Sequence, residues 1–230
     1  MPDIKQNLML VKEQISKAAL DCGRNPDDIM LVAVSKKQPI SAIQTAMQAG
    51  ARHFGENYIQ EAVEKIEAIG KDTVCWHFIG HLQSNKARFA VNYFEYIHTV
   101  DTLKLAKEIS KQAEKINKIQ NILLQVNIGL EDTKSGAAPE RIIELAQQAS
   151  LLEHISIQGL MAMPPWFENP EDVRIYFTKM RQIKKQIREL NLAHTPMTHL
   201  SMGMSNDFTV AVQEKSTMVR VGTSIFGSRE

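Results

Sequence analysis

Lys36 closes the apolar run Met30-Leu31-Val32-Ala33-Val34-Ser35, and a lysine at the tip of a buried strand can act as a Schiff-base nucleophile. Apolar walls disfavour the ammonium form and leave a neutral amine able to attack an aldehyde. Lys37 is an equal candidate on spacing, because both faces of this strand are apolar. For either lysine the plain alternative is a solvated loop residue. Near the far end, Ser201-Met202-Gly203-Met204-Ser205 and Gly222-Thr223-Ser224 have the composition of phosphate loops. Glycine lets backbone N–H groups approach closely, and serine and threonine add hydroxyl donors. Ordinary turn chemistry would explain either loop alone; two at matching places favour a phosphate site.

Arg220 lies within the apolar segment that leads to Gly222. A charge there is costly unless it is paired or bound, so the default is an ion pair with a distant carboxylate. An amine that captures an aldehyde, facing a phosphate cradle, points to pyridoxal 5'-phosphate. Arg220 would then reach the pyridine nitrogen and keep it unprotonated, a weaker electron sink than a carboxylate-paired ring.

These residues need elements to position them. Ile4, Leu8, Val11, Ile15 and Ala18 recur at helical spacing, and Gly23 and Pro26 close that first helix. A rhythm of short apolar run, turn and amphipathic helix follows. The runs are expected at about 30–36, 52–55, 74–79, 96–100, 122–128, 155–161, 198–202 and 218–221. Helices are expected between them, at about 40–49, 58–69 and 84–91, and through Leu103, Ala106, Ala113 and Ile116 with Asp101 as N-cap. Pro139 opens the next, a long one runs through Val173, Phe177, Met180, Ile187 and Leu190, and a short one spans about 207–213.

Strands apolar on both faces and alternating with helices imply a parallel sheet. Eight units point to a (β/α)8 TIM-like barrel with an extra N-terminal helix, and an open doubly wound sheet is the alternative. No G-x-G-x-x-G follows the first strand, which argues against a dinucleotide site. With no linker or repeat, residues 1–230 are expected to form a single domain. A barrel gathers its site at the C-terminal strand ends, where Lys36, Asn57, His81 and Ser201 fall.

Composition limits the other classes. A net charge of +1 gives no general field for nucleic acid or an anionic membrane, and 43% hydrophobic residues suit a globular chain. Cys22 and Cys75 are too few for a disulfide framework or a thiolate metal site, which fits a cytoplasmic protein. No apolar run reaches the roughly 18 residues of a membrane span, and the N-terminus carries charges where a signal peptide would be apolar. His77 and His81 belong to no zinc motif, and His53, His98, His154, His194 and His199 are scattered, so no metal site is expected. Glu61 and Glu64, with lysines nearby, are expected on solvated faces.

Several segments carry a resemblance. They are Ala33-Val34-Ser35-Lys36, Phe54-Gly55-Glu56-Asn57-Tyr58 with Gln60-Glu61, and His77-Phe78-Ile79-Gly80-His81-Leu82-Gln83-Ser84-Asn85-Lys86. Further on come Gln125-Val126-Asn127-Ile128, Lys134-Ser135-Gly136, Gly159-Leu160-Met161, Leu200 to Ser205 and Val219 to Thr223. In this order they resemble the pyridoxal phosphate homeostasis protein family, single-domain relatives of the alanine racemase barrel (fold-type III). The resemblance implies that Lys36, not Lys37, holds pyridoxal 5'-phosphate as an internal aldimine. It implies that Arg220 meets the pyridine nitrogen and that Ser201, Gly203, Gly222 and Thr223 hold the phosphate. Asn57, His81 and Met161 would line the pocket near the ring.

The family reading is a non-catalytic protein that buffers the cofactor and delivers it to apo-enzymes, maintaining vitamin B6 and amino-acid and keto-acid balance. A monomer is expected. The alternative is an amino-acid racemase, which needs a base on each face of the cofactor adduct. In the alanine racemase relatives the second base comes from an added C-terminal domain, whereas this chain ends soon after Gly222, which favours the carrier. Arginine does not decide the point, since those relatives use it too. A Schiff-base aldolase acting on a sugar phosphate would also need a lysine and a phosphate site, but its lysine usually lies late in the barrel.

Overall fold

A computed structural model describes residues 3–131 and 133–227. The N-terminal helix α1 spans Ile4–Asp21, capped by the Asp3 side chain accepting from Gln6 N, and buries Leu8, Val11, Ile15, Ala18 and Ala19. Gly23, at φ 69°, ends it. Strands and helices then alternate: β1 (Met30–Val34), α2 (Ile40–Gln48), β2 (His53–Glu56), α3 (Ile59–Ile69), β3 (Cys75–Phe78) and α4 (Ala87–Tyr93). They continue with β4 (Tyr96–Val100), α5 (Leu103–Glu114), β5 (Gln120–Val126), α6 (Ile142–Ala149), β6 (Ile155–Ala162) and α7 (Arg174–Glu189). The chain closes with β7 (His199–Ser201), α8 (Phe208–Gln213), β8 (Met218–Val221) and the short α9 (Thr223–Phe226).

The strands form one closed barrel in the order β1 to β8, every pair parallel, with β8 pairing back onto β1. Closure removes both sheet edges and excludes the open-sheet alternative.

Alternation along the strands divides the side chains in two. Ala33, Phe54, Trp76, Phe78, Ile97, Leu124 and Leu160 face the helices and join the main apolar core. The opposite set faces the barrel lumen, where Leu123, Met161 and Met218 pack together against Met30, Tyr96 and Met163. His77, His98, Ser201 and Arg220 are also buried, a polar content unusual for a layered barrel interior.

β5 lies two residues earlier than expected and α4 starts three residues later, and two further local expectations change. The first strand ends at Val34, so Ser35 and Lys36 belong to the turn that follows. Thr102, not Asp101, caps α5, accepting from Leu105 N at 3.3 Å; Asp101 instead accepts from Gly136 N, also at 3.3 Å. Either residue type can cap a helix, so the chain direction at the strand exit decided between them.

Candidate functional site

At the C-terminal mouth of the barrel lies a cavity of about 260 Å³, the size class of a small ligand. Lys36 lines it, together with Asn57, Arg220, Gly222 and Thr223. Strand exits supply all of them: Lys36 after β1, Asn57 after β2, and Arg220 to Thr223 at the end of β8. Lys37 is exposed, at φ 61°, with its backbone N–H donating to Glu61 Oε1, and it does not line the cavity. The turn that carries both lysines therefore turns one inward and the other out, a distinction strand parity could not make.

Arg220 forms the floor. It is 4% exposed and donates to neutral oxygens, Ser201 Oγ at 2.6 Å and Ala162 O at 2.9 Å. These bonds replace the direct ion pair that is the default expectation, and Asp207 supplies the nearby negative charge. Burial pushes the guanidinium down to about 10, still far above neutrality, so it stays charged.

Beside it, Asn57 Oδ1 is buried without a hydrogen-bond partner among the described residues. A buried, unpaired carbonyl oxygen costs about 1–3 kcal/mol, which a bound donor would recover. Asn57 is held by a close approach of backbones: a Cβ on Gly80 would lie 2.1 Å from Asn57 O. Thr99 Oγ1 donates to Gly80 O at 2.6 Å and pins that contact from the other side.

The two glycine loops meet at this mouth. Ser224 N donates to Ser205 Oγ at 3.3 Å, tying the β8 exit to the β7 exit. From the β7 loop it is Met204, Ser205 and Asn206 that face the cavity. Ser201 is fully buried beneath Arg220, and Gly203, at φ 95°, packs on α8, where a Cβ would lie 2.6 Å from Ala211 Cβ. Of the four residues named for the phosphate, Gly222 and Thr223 are therefore at the cavity, while Ser201 and Gly203 shape it from behind.

Met161 is fully buried in the lumen, packed with Leu123 and Met218. His81 is exposed and lines a second cavity of about 360 Å³, which shares Asn57, Ile79, Met163, Trp166 and Met204 with the first.

Sequence reasoning missed the group behind Lys36. Lys65, on α3, is buried and donates to Ser35 O at 2.7 Å and Glu56 Oε1 at 2.8 Å, and it also pairs with Glu61. Ser35 Oγ donates to the same Glu56 oxygen at 2.6 Å. Burial raises the Glu56 carboxyl above its ordinary range, although Lys65 and Ser35 pull it down. The cluster ties the carbonyl immediately before Lys36 to α3. Glu61 is thus half-buried in an ion pair and not on a solvated face, while Glu64 is exposed as expected. The one available signal was that Lys65 stands one helical turn after Glu61.

Two of the histidines expected to be scattered, His53 and His98, are joined through His77. His53 Nδ1 lies 3.1 Å from His77 Nε2, His77 Nδ1 lies 2.9 Å from His98 Nε2, and His98 Nδ1 lies 3.0 Å from Ser201 Oγ. A single file of side chains therefore crosses the lumen from the N-terminal mouth to Arg220. Burial holds His77 and His98 well below the usual imidazole range, so both are neutral at pH 7.

Comparison with known proteins agrees with this architecture. The family model described as alanine racemase, N-terminal domain, matches residues 11–230. The pyridoxal phosphate homeostasis protein of Aquifex aeolicus (strain VF5) is 42% identical over 226 residues, covering 98% of both chains. That of Escherichia coli (strain K12) is 43% identical over 233 residues, covering all of this chain and 98% of its own. The structure of PipY of Synechococcus elongatus PCC7942 with PLP bound superposes with a TM-score of 0.81 at 35% identity, over 94% of this chain and 100% of that one. An alanine racemase from Corynebacterium glutamicum shares the fold, with a TM-score of 0.73 at 16% identity over 96% of this chain and 62% of that one.

Proposed function

This chain belongs to the pyridoxal phosphate homeostasis protein family, and we propose that it holds pyridoxal 5'-phosphate in the cavity over Arg220, buffering the cofactor and delivering it to apo-enzymes. The observation that carries this reading is that Lys36, Arg220, Gly222 and Thr223 line one cavity. The residues fit the group: a buried cation, an unpartnered Asn57 oxygen and an amine face one another at a glycine-bearing strand exit.

When bound, the cofactor would supply an aldehyde, and Lys36 Nζ would be the amine that holds it. Arg220 would offer N–H donors, and a permanent cation, to the pyridine nitrogen. Such a partner would keep a proton off the ring and damp electron withdrawal, which suits storage better than turnover. Thr223 and the β7–β8 loops offer backbone and hydroxyl donors to the phosphate. Asn57 would orient the ring edge, and Ile79 and Met163, which also line the cavity, would exclude water beside it. We further propose that the protein runs no catalytic cycle, acts as a single chain and works in the cytoplasm. Among the described residues no helix is long and apolar enough to cross a membrane.

The deciding experiment is cofactor transfer from the loaded protein to an apo-enzyme, run beside a panel of amino acids. Transfer without racemisation or decarboxylation is expected. Rapid turnover of any amino acid would replace the carrier with an enzyme.

Gly80→Ala provides a geometric check. The added methyl collides with Asn57 backbone, not with a flexible side chain, so Asn57 must move. A stability loss of about 1–3 kcal/mol in urea unfolding is expected, with weaker cofactor binding by fluorescence titration. Unchanged affinity would remove Asn57 from the binding site.

A further inference from the structure

At the opposite, N-terminal mouth of the barrel, three side chains converge that the cofactor reading does not use. Cys75 and His77 sit two apart on β3 and so point the same way, into the lumen. His53 on β2 is in register with Cys75 and completes the set. One ligand atom from each of the three lies within 4.8 Å of the other two. His53 Nδ1 is 3.1 Å from His77 Nε2, and Cys75 Sγ is 3.3 Å from that same nitrogen. Around a tetrahedral ion with metal–nitrogen bonds of about 2.0–2.1 Å and a metal–sulfur bond of about 2.3 Å, neighbouring donors stand roughly 3.3–3.6 Å apart. The two contacts to His77 Nε2 are within a few tenths of an ångström of that spacing, and the His53–Cys75 separation, at most 4.8 Å, closes on the ion.

Hydrogen bonding does not account for the cluster equally well. His77 Nε2 has either one lone pair or one proton, yet it faces both an imidazole nitrogen and a thiol. One of those two neighbours is left without a good partner, whereas a central cation would engage all three. We propose that His53, Cys75 and His77 form a binding site for a borderline divalent transition ion of the Zn²⁺ class, distinct from the cofactor cavity. Mixed nitrogen and sulfur donors select such ions over Mg²⁺ or Ca²⁺.

The remaining features suit the role. His77 is neutral and its Nδ1 faces His98 Nε2 at 2.9 Å, the outer hydrogen bond that orients a ligating histidine. Metal on Nε2 leaves the proton on Nδ1, so His77 donates to His98, and His98 donates to Ser201 Oγ. A cavity of about 640 Å³, lined in part by His53, His199, Asp27 and Asp28, opens beside the cluster and leaves room for a water as fourth ligand. Binding breaks the Cys75 S–H bond, forms a metal–sulfur bond and releases one proton to solvent, with no change of oxidation state. Burial pushes that thiol up to about 12 in the metal-free chain, so metal binding, not an independent acid dissociation, must drive its loss of the proton.

The test is titration of the chelator-treated, full-length chain with CoCl2, followed by competition with ZnCl2. One Co²⁺ per chain is expected, with visible d–d bands and a near-ultraviolet thiolate charge-transfer band, displaced by Zn²⁺ and untouched by MgCl2. Cys75→Ser should abolish the charge-transfer band, and Cys22→Ser should leave it in place. His98→Gln should weaken affinity by about 10–100-fold while leaving the three ligands present. Circular dichroism on each variant separates loss of binding from loss of fold. No charge-transfer band in the folded wild-type chain, or a band that survives Cys75→Ser, would overturn the site. Neither result bears on cofactor binding, which is read from a different chromophore at the other end of the barrel.

Discussion

Lys36→Ala is expected to abolish the borohydride-fixable adduct with pyridoxal 5'-phosphate while the barrel stays folded. The covalent bond depends on one nitrogen, so its loss should be complete. Lys36 is only half-buried and lies in a turn beyond the last residue of β1, so its truncation removes little packing. A stability change within about 0.5 kcal/mol is expected in urea unfolding. Intact-mass measurement after borohydride treatment checks the adduct directly. Retention of the cofactor mass would transfer the role to another lysine. Lys37 would be the first to examine, although its outward position and backbone bond to Glu61 argue against it.

Lys65→Met should have the largest effect on stability. It leaves Glu56, fully buried, without the ammonium that now lies 2.8 Å from it. Removing one partner of a buried pair typically costs about 3–5 kcal/mol, because the remaining charge is desolvated and unpaired. Glu56 Oε2 already has no partner among the described residues, so the carboxylate has little else to rely on. The sign of the pH dependence follows. Burial raises the folded-state carboxyl above its unfolded value, so the folded form binds its proton more tightly and acid stabilises it relative to the unfolded chain. The defect should therefore shrink as pH falls through the Glu56 titration. Adding Glu56→Gln to Lys65→Met should recover part of the loss at neutral pH. A single-variant loss under about 1 kcal/mol would mean that Glu56 is already protonated in the native chain.

The same cluster separates what local pattern could reveal from what it could not. Strand rhythm, the helix that Gly50 ends and the closing strand at Met218–Val221 were all legible, because alternation of apolar runs and amphipathic helices is a local signal. The roles of Ser35, Glu56 and Lys65 were not. Each looks ordinary beside its neighbours, and only the packing of α3 across β1 and β2 brings them within hydrogen-bond reach. The three histidines behave likewise: residues 53, 77 and 98 lie on successive strands, and barrel curvature aligns them in the lumen. Ser201 and Gly203 belong to the right segment but stand behind the cavity, since the loop after them turns Met204, Ser205 and Asn206 inward.

By itself the sequence determined the barrel, the family and the set of strand ends that carry the chemistry. Hydrophobic periodicity and short motifs act within a few residues of one another, so they survive in one dimension. Tertiary structure decided which of two adjacent lysines faces the cavity and which neutral oxygens hold Arg220. It also decided that three separate side chains, His53, Cys75 and His77, stand together. Those outcomes depend on turn geometry and on register between strands, which only the closed barrel supplies.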